Sequence, residues 1–230
     1  MGIPTEKIRI FNIFTKVIVR LIPKTYKKQA ELNYWSNLVK ELTQDYKSSA
    51  QKEKKLMDIC YEITYPRYKK DLYLEQDSFK GKKALDLGCG PHGGLIGFTD
   101  CDKFGVDHLI KEYKKIGYPL DKHGIKYYQA KSEKLPFPDS YFEVVVCVNA
   151  LDHVDSLEKT VKEISRVLKK SGKFIGQINF RDKATATEPI ALNHKTLISM
   201  LLKNNLILVK KIFQYHINQE DRYYYECKKI

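Results

Sequence analysis

The stretch Ala84-Leu85-Asp86-Leu87-Gly88-Cys89-Gly90-Pro91-His92-Gly93-Gly94-Leu95 decides how the chain folds. An apolar run suited to a buried strand ends in an acidic residue and opens into glycines and a proline, so the backbone turns tightly and stays bare. A sheet that ends this way presents N–H groups and a carboxylate to a small polar ligand at the carboxyl end of a strand. A side chain at Gly88 or Gly90 would fill space that such a ligand needs; the plainer reading is an ordinary strand-to-helix turn. A dinucleotide fingerprint sets a pyrophosphate on a helix N-terminus, whereas Asp86 sits in this turn and would repel phosphate. The triphosphate pattern ending in Gly-Lys-Ser/Thr is absent, which excludes most nucleoside triphosphatases.

Outward from this turn, strands and helices alternate. Lys103–Asp107 is a short apolar strand ending in Asp, Ile125–Gln129 is another, and Phe142–Val148 is the most apolar and β-branched of all. Helical spacing separates them over His108–Gly117 and Ser156–Lys169, the latter with Leu157, Val161, Ile164 and Leu168 on one face. A Ser-Gly turn leads to the strand Lys173–Phe180, then come a helix over Asn193–Lys203 and two strands, Leu206–Phe213 and Arg222–Lys228, joined as a hairpin. The order predicts an α/β fold whose parallel sheet carries helices on both faces.

The 230 residues, 43% of them apolar, suffice for one such domain and an appendage. We divide the chain into a helical extension, residues 1–78, and a domain, residues 79–230. Within the extension, residues 6–22 form an amphipathic helix with Arg9, Asn12, Lys16 and Arg20 on a narrow polar stripe, ended by Pro23. It carries too much charge to span a bilayer and lacks a cleavage site, so it reads neither as a transmembrane helix nor as a signal peptide. Two readings stay open: packing on the domain or on a second copy in a homodimer, and peripheral contact with an anionic membrane. From Thr25 to Tyr73 the spacing is again helical, and the aromatic bunch Tyr34-Trp35 reads either as core or as part of a lid over the site. Pro66, which disfavours helix at Tyr65, marks the end of the extension, and a linker follows over Asp77–Gly81.

The net charge of +13 fits nucleic acid, an anionic membrane, or a lysine-rich composition without a partner, and the lysines are spread along the chain rather than blocked. Five cysteines with no Cys-x-x-Cys pair argue for a reducing, cytoplasmic compartment and against a zinc site or a disulfide framework.

The run Asp86-x-Gly88-x-Gly90 resembles the first motif of the class I S-adenosyl-L-methionine (SAM)-dependent methyltransferases, and the resemblance covers Lys82 to Lys228. It implies a Rossmann-like seven-stranded sheet with an antiparallel last strand, and SAM as the cofactor. By the same resemblance Asp86, Gly88 and Gly90 form the methionine-end pocket. The family's third glycine falls at His92, so Gly93 or Gly94 takes its role. Asp107 matches the acidic residue that accepts from both ribose hydroxyls, with a helix N-cap as its alternative, and His108 lies near the adenine. Ala130–Phe137 is similar to a third signature, through which Ser132 and Glu133 would reach the cofactor; Lys131 stands where the family has an Asp. The segment after the central strand places Asn149 at the cofactor and Asp152 and His153 beside the transferred methyl. His153 acts there as a general base oriented by Asp152, or else catalysis works by proximity alone. Arg181 and His194 are possible acceptor contacts or plain loop and helix-start residues. No metal is expected.

The resemblance implies a methyl acceptor that is a small molecule or a glycan. Glu31–Trp35 is similar to segments of methyltransferases encoded among surface-polysaccharide genes, which points to O-methylation in cell-envelope polysaccharide biosynthesis. RNA methylation is the rival, but the Asn/Asp-Pro-Pro-aromatic segment of base N-methylating enzymes and the Pro-Cys of cytosine C5 enzymes are both missing. A third reading is a non-catalytic SAM-fold subunit that anchors a partner at a membrane through residues 6–22.

Overall fold

The computed structural model describes residues 24–180, 185, 189–215 and 221–230. Seven strands form one sheet: β1 Lys83–Leu87, β2 Asp102–Asp107, β3 Lys126–Gln129, β4 Phe142–Val148, β5 Leu168–Phe180, β6 Leu206–Tyr215 and β7 Asp221–Lys229. Their order is β3-β2-β1-β4-β5-β7-β6. The first five run parallel, and β7 enters antiparallel between β5 and β6. This is the Rossmann-like seven-stranded sheet with its antiparallel β7. The chain leaves β1 toward β2 in one direction and returns on the other side at β4. The carboxyl ends of β1 and β4 therefore flank the crevice where open α/β sheets take ligands.

Among the described residues six α-helices lie around the sheet: α1 Lys24–Thr43, α2 Ser49–Ile59, α3 Tyr65–Leu72, α4 Ile110–Lys115, α5 Leu157–Val167 and α6 His194–Lys203. Local chemistry sets their starts. Ser48 and Gln51 close a capping box ahead of α2, Ser156 caps α5, and the Asn193 side chain accepts from the N–H groups of Lys195 and Thr196 at α6. The alternation of β1 sends Leu85 and Leu87 to the face covered by α5 and α6, and Ala84 and Asp86 to the face covered by α3. A third apolar cluster, with Leu56, Ile59, Tyr113 and Tyr118, joins α2 to α4 and takes Trp35, Val39 and Leu42 of α1 on its edge.

Four local expectations change, the first being that α5 ends at Val167 and Leu168, expected on its apolar face, opens β5. Pro66 does not end the extension. It sits in the first turn of α3, and a π-helical stretch, Cys60–Thr64, carries α2 straight into α3. The wider π turn eases the clash a proline ring makes with the preceding turn. The Ser-Gly turn is instead a bulge: Ser171 has φ +63°, and β5 runs through it, pairing Leu168 with Phe142 and Lys173 with Val144. The helix expected from His108 starts only at Ile110, because the Leu109 N–H is held by the Asp107 carboxylate at 2.9 Å. Residues 6–22 and Arg181 lie outside the described residues. Among the described residues no helix is long and apolar enough to cross a membrane.

The connection from β1 to β2 is made of turns over residues 90–97, where a parallel crossover ordinarily carries a helix. α3 supplies the cover instead. Its Tyr68 ring presses on Gly94 so closely that a Cβ there would lie 2.1 Å from Cζ, and Tyr65 presses on Gly97 at 2.4 Å. Tyr68 is buried and its ring has nowhere to go. Gly94→Ala should therefore lower stability by roughly 1–3 kcal/mol, read as a fall in the urea midpoint at unchanged slope.

Candidate functional site

At the end of β1 the backbone turns through Gly88 and Gly90, with φ +69° and +56°. Gly88 is fixed twice over, since a Cβ would also lie 2.5 Å from the Cβ of Ala150, where the loops after β1 and β4 meet. At Gly90 the constraint is the left-handed backbone, because a Cβ would find only the Trp35 ring at an ordinary 3.7 Å. His92, at the position of the family's third glycine, lies half-buried against the rings of Trp35 and Tyr118. Gly93 carries the next positive φ, +59°.

Asp86 is 1% exposed, and its two oxygens accept from the Tyr68 hydroxyl at 3.4 and 3.1 Å. Burial pushes its pKa up to about 7 against the opposing pull of the Tyr68 hydrogen bond, and the negative Asp107 adds to the rise. Asp107, at the end of β2, accepts from the N–H of Gly90 at 3.1 Å on Oδ2 and from the N–H of Leu109 and the hydroxyl of Tyr113 on Oδ1. Leu109, not Asp107, is the N-cap of α4, and the Asp107 carboxylate holds the Leu109 N–H.

His108 stands between two carboxylates. Its Nδ1 lies 3.4 Å from Asp107 Oδ1 and its Nε2 lies 3.4 Å from Glu31 Oε2 of α1. Burial lowers its pKa, but the hydrogen bond and charge of Asp107 and the charge of Glu31 outweigh burial and raise it. These three residues bring candidate metal-ligand atoms within 4.8 Å of one another, yet each imidazole nitrogen is already directed at a carboxylate.

Around β4 the Asn149 backbone adopts φ +49° and donates to the Gln177 carbonyl, while its Oδ1 is buried without a partner among the described residues. Asp152 is 3% exposed, and its Oδ1 lies 3.8 Å from Nε2 of the half-buried His153. The third-signature loop serves this segment: Glu133 accepts from the N–H groups of Asp155 and Ser156 at 2.6 and 2.9 Å, and Lys131 pairs with Asp155 at 2.7 Å. Ser132 is half-buried in the same loop. His194 stacks on Phe180 with ring centroids 3.7 Å apart and lies 2.5 Å from the Tyr225 hydroxyl, at the carboxyl end of β5.

Three contributors escaped the sequence reading of the site, Lys27, Glu31 and Tyr113; Tyr68 reads there only as one of the aromatic and basic groups of Tyr65–Tyr68 that could face substrate. The Tyr65-Pro66-Arg67-Tyr68 run was a visible aromatic signal, but Tyr68 points into the domain. Lys27 Nζ donates to the carbonyl of His153, a contact between residues 126 positions apart that no local pattern announces.

These residues fit a ribose-bearing cation. The turn is bare backbone, Asp107 ends β2 facing it, and Asn149 holds an orphaned acceptor across the same crevice. Residues 85–176 match the family model described as a methyltransferase domain. The chain is 38% identical over 103 residues to the sterol 24-C-methyltransferase ERG6B of Gibberella zeae, an overlap of 41% of this chain and 27% of the relative. To YcgJ of Bacillus subtilis, an uncharacterized methyltransferase, it is 29% identical over 100 residues, 40% of this chain and 39% of the relative. The YcgJ crystal structure superposes with a TM-score of 0.56 at 15% identity, over 73% of this chain and 98% of that one. The cyclase SpnF superposes with a TM-score of 0.57 at 13% identity, over 73% and 80% of the two chains. The chain spans well under two thirds of the length of these curated relatives. The methyltransferase-domain match falls on the stretch that holds the glycine turn, β2 and β4, and together with this sheet order it supports the class I SAM-dependent methyltransferase superfamily.

Proposed function

We propose that the protein transfers the methyl group of SAM to a hydroxyl of a small molecule or glycan, in cell-envelope polysaccharide or related biosynthesis. The supporting observation is the pair Asp152–His153, its groups 3.8 Å apart, placed just past Asn149 where β4 meets the glycine turn. Bound SAM supplies an electrophilic methyl on a positively charged sulfur. A hydroxyl nucleophile needs its proton taken as it attacks, and imidazole is the side chain suited to that near neutrality. Asp152 orients the ring. Asp107 and Asn149 orient the cofactor.

The likeness to a sterol C-methyltransferase covers only 27% of that relative and speaks for the cofactor rather than the acceptor.

Labelled methyl from SAM should appear on a nucleotide sugar or a cell-envelope glycolipid and not on RNA; transfer to RNA alone would replace this reading. His153→Ala should cut kcat at least about a hundredfold with SAM affinity kept, and a loss under about threefold would assign catalysis to proximity. Asp86 gives a pH signature. Its folded value, about 7, lies above the ordinary 3.8, so its contribution to stability is whole below about pH 4 and is lost as pH rises to 7. Asp86→Asn should therefore match the wild type in thermal stability near pH 4 and exceed it increasingly up to pH 8, by at most about 4 kcal/mol, while binding SAM more weakly.

A further inference from the structure

α1 lands on the residues a cofactor would need. Lys27, Glu31 and Trp35 follow one another at intervals of four, so they share one face of the helix, over a span of about 12 Å. Lys27 Nζ donates to the His153 carbonyl beyond β4. Glu31 lies 3.4 Å from His108 Nε2 and accepts from the Tyr113 hydroxyl at 3.4 Å. The Trp35 ring covers Gly90 and meets His92, Tyr113 and Tyr118 edge to face, at centroid distances of 5.2, 6.0 and 6.2 Å.

His108 and Tyr113 are shared. Each touches Glu31 on one side and Asp107 on the other. Asp107 also takes the N–H groups of Gly90 on Oδ2 and Leu109 on Oδ1, so Oδ1 is crowded by three groups of the chain and Oδ2 holds one. A ribose hydroxyl could reach Oδ1 only by displacing such contacts. α1 itself is lightly anchored: among its described side chains only Thr43 is buried, and Trp35, Val39 and Leu42 lie at the edge of the cluster they join. A helix held this way opens at low cost.

We propose that α1 is a strap that competes with the cofactor: Glu31 holds Asp107 through His108 and Tyr113, Trp35 covers the glycine turn, and SAM binds only when α1 lifts. The proposal rests on the reading of this cleft as the SAM site. A competing strap weakens the apparent affinity by the fraction of time the site is open, so loosening it tightens binding.

Trp35 is the only tryptophan among the 230 residues, so its fluorescence reports on α1 alone. Wild-type protein saturated with S-adenosylhomocysteine, the demethylated product, should show tryptophan emission shifted to longer wavelength and quenched more readily by acrylamide. Glu31→Ala should show that shift before any ligand is added and bind S-adenosylhomocysteine about five- to tenfold more tightly by calorimetry. Should Glu31→Ala fail to fold, Glu31→Gln is read the same way, and the wild-type emission decides by itself. Normal binding with unchanged or shorter-wavelength emission overturns the strap and leaves the cofactor site standing. No binding of S-adenosylhomocysteine to the wild type overturns both.

Discussion

The hydroxyl of Tyr68 reaches Asp86 inside the protein and offsets part of the cost of burying its carboxyl group. A carboxylate out of water is costly unless hydrogen-bonded, and at 1% exposure no solvent helps. The donor comes from α3, so an acidic residue in the first motif is satisfied by a helix that precedes it in the chain. That one contact orders much else. It places the Tyr68 ring over Gly94, lets α3 cover the β1–β2 connection that carries no helix, and draws the π-helical stretch and α2 in behind it. The glycines after β1 therefore answer to two demands: Gly88 and Gly90 shape the turn, while Gly94 and Gly97 make room for rings of the extension.

Much of this was legible in the residues. Phe142–Val148 is a strand end to end as the β-branched run predicts, because a central strand buried on both faces leaves little room for another pattern. The acidic ends of β1 and β2 were legible because a carboxylate at a strand's carboxyl end is an anomaly that asks for a reason. What sequence reading lost was long-range. The pairing of Glu31 with His108 and of Lys27 with the His153 carbonyl joins α1 to loops more than seventy positions away, and helical spacing alone says only that α1 is a helix. Pro66 misled because the restriction on the residue before a proline is a bias and not a bar: Tyr65 holds α backbone, φ −63° and ψ −47°, ahead of it. Glu133 shows a subtler loss: the residue is in place, but its carboxylate holds the start of α5.

The sheet by itself does not specify the reaction. A cyclase shares it at a TM-score of 0.57, so the chemistry has to be argued from Asp107, Asn149, Asp152 and His153 and what surrounds them. The charge of +13 is equally unspecific in place, since lysines beside the crevice are tied locally: Lys28 to Glu112 and Lys131 to Asp155. Positive charge near the site is thus partly neutralised by acidic partners, as suits a cleft that must hold a cation.

The fit of Tyr68 onto Gly94 also bears on heredity. A ring and the absence of a side chain, 26 positions apart, must be inherited together, so the helical leader cannot be traded for another family member's without also rebuilding the floor beneath it. Chimeras that join at the start of β1 would pair a foreign helix with a surface hollowed for this tyrosine, and would strand Asp86 without its donor.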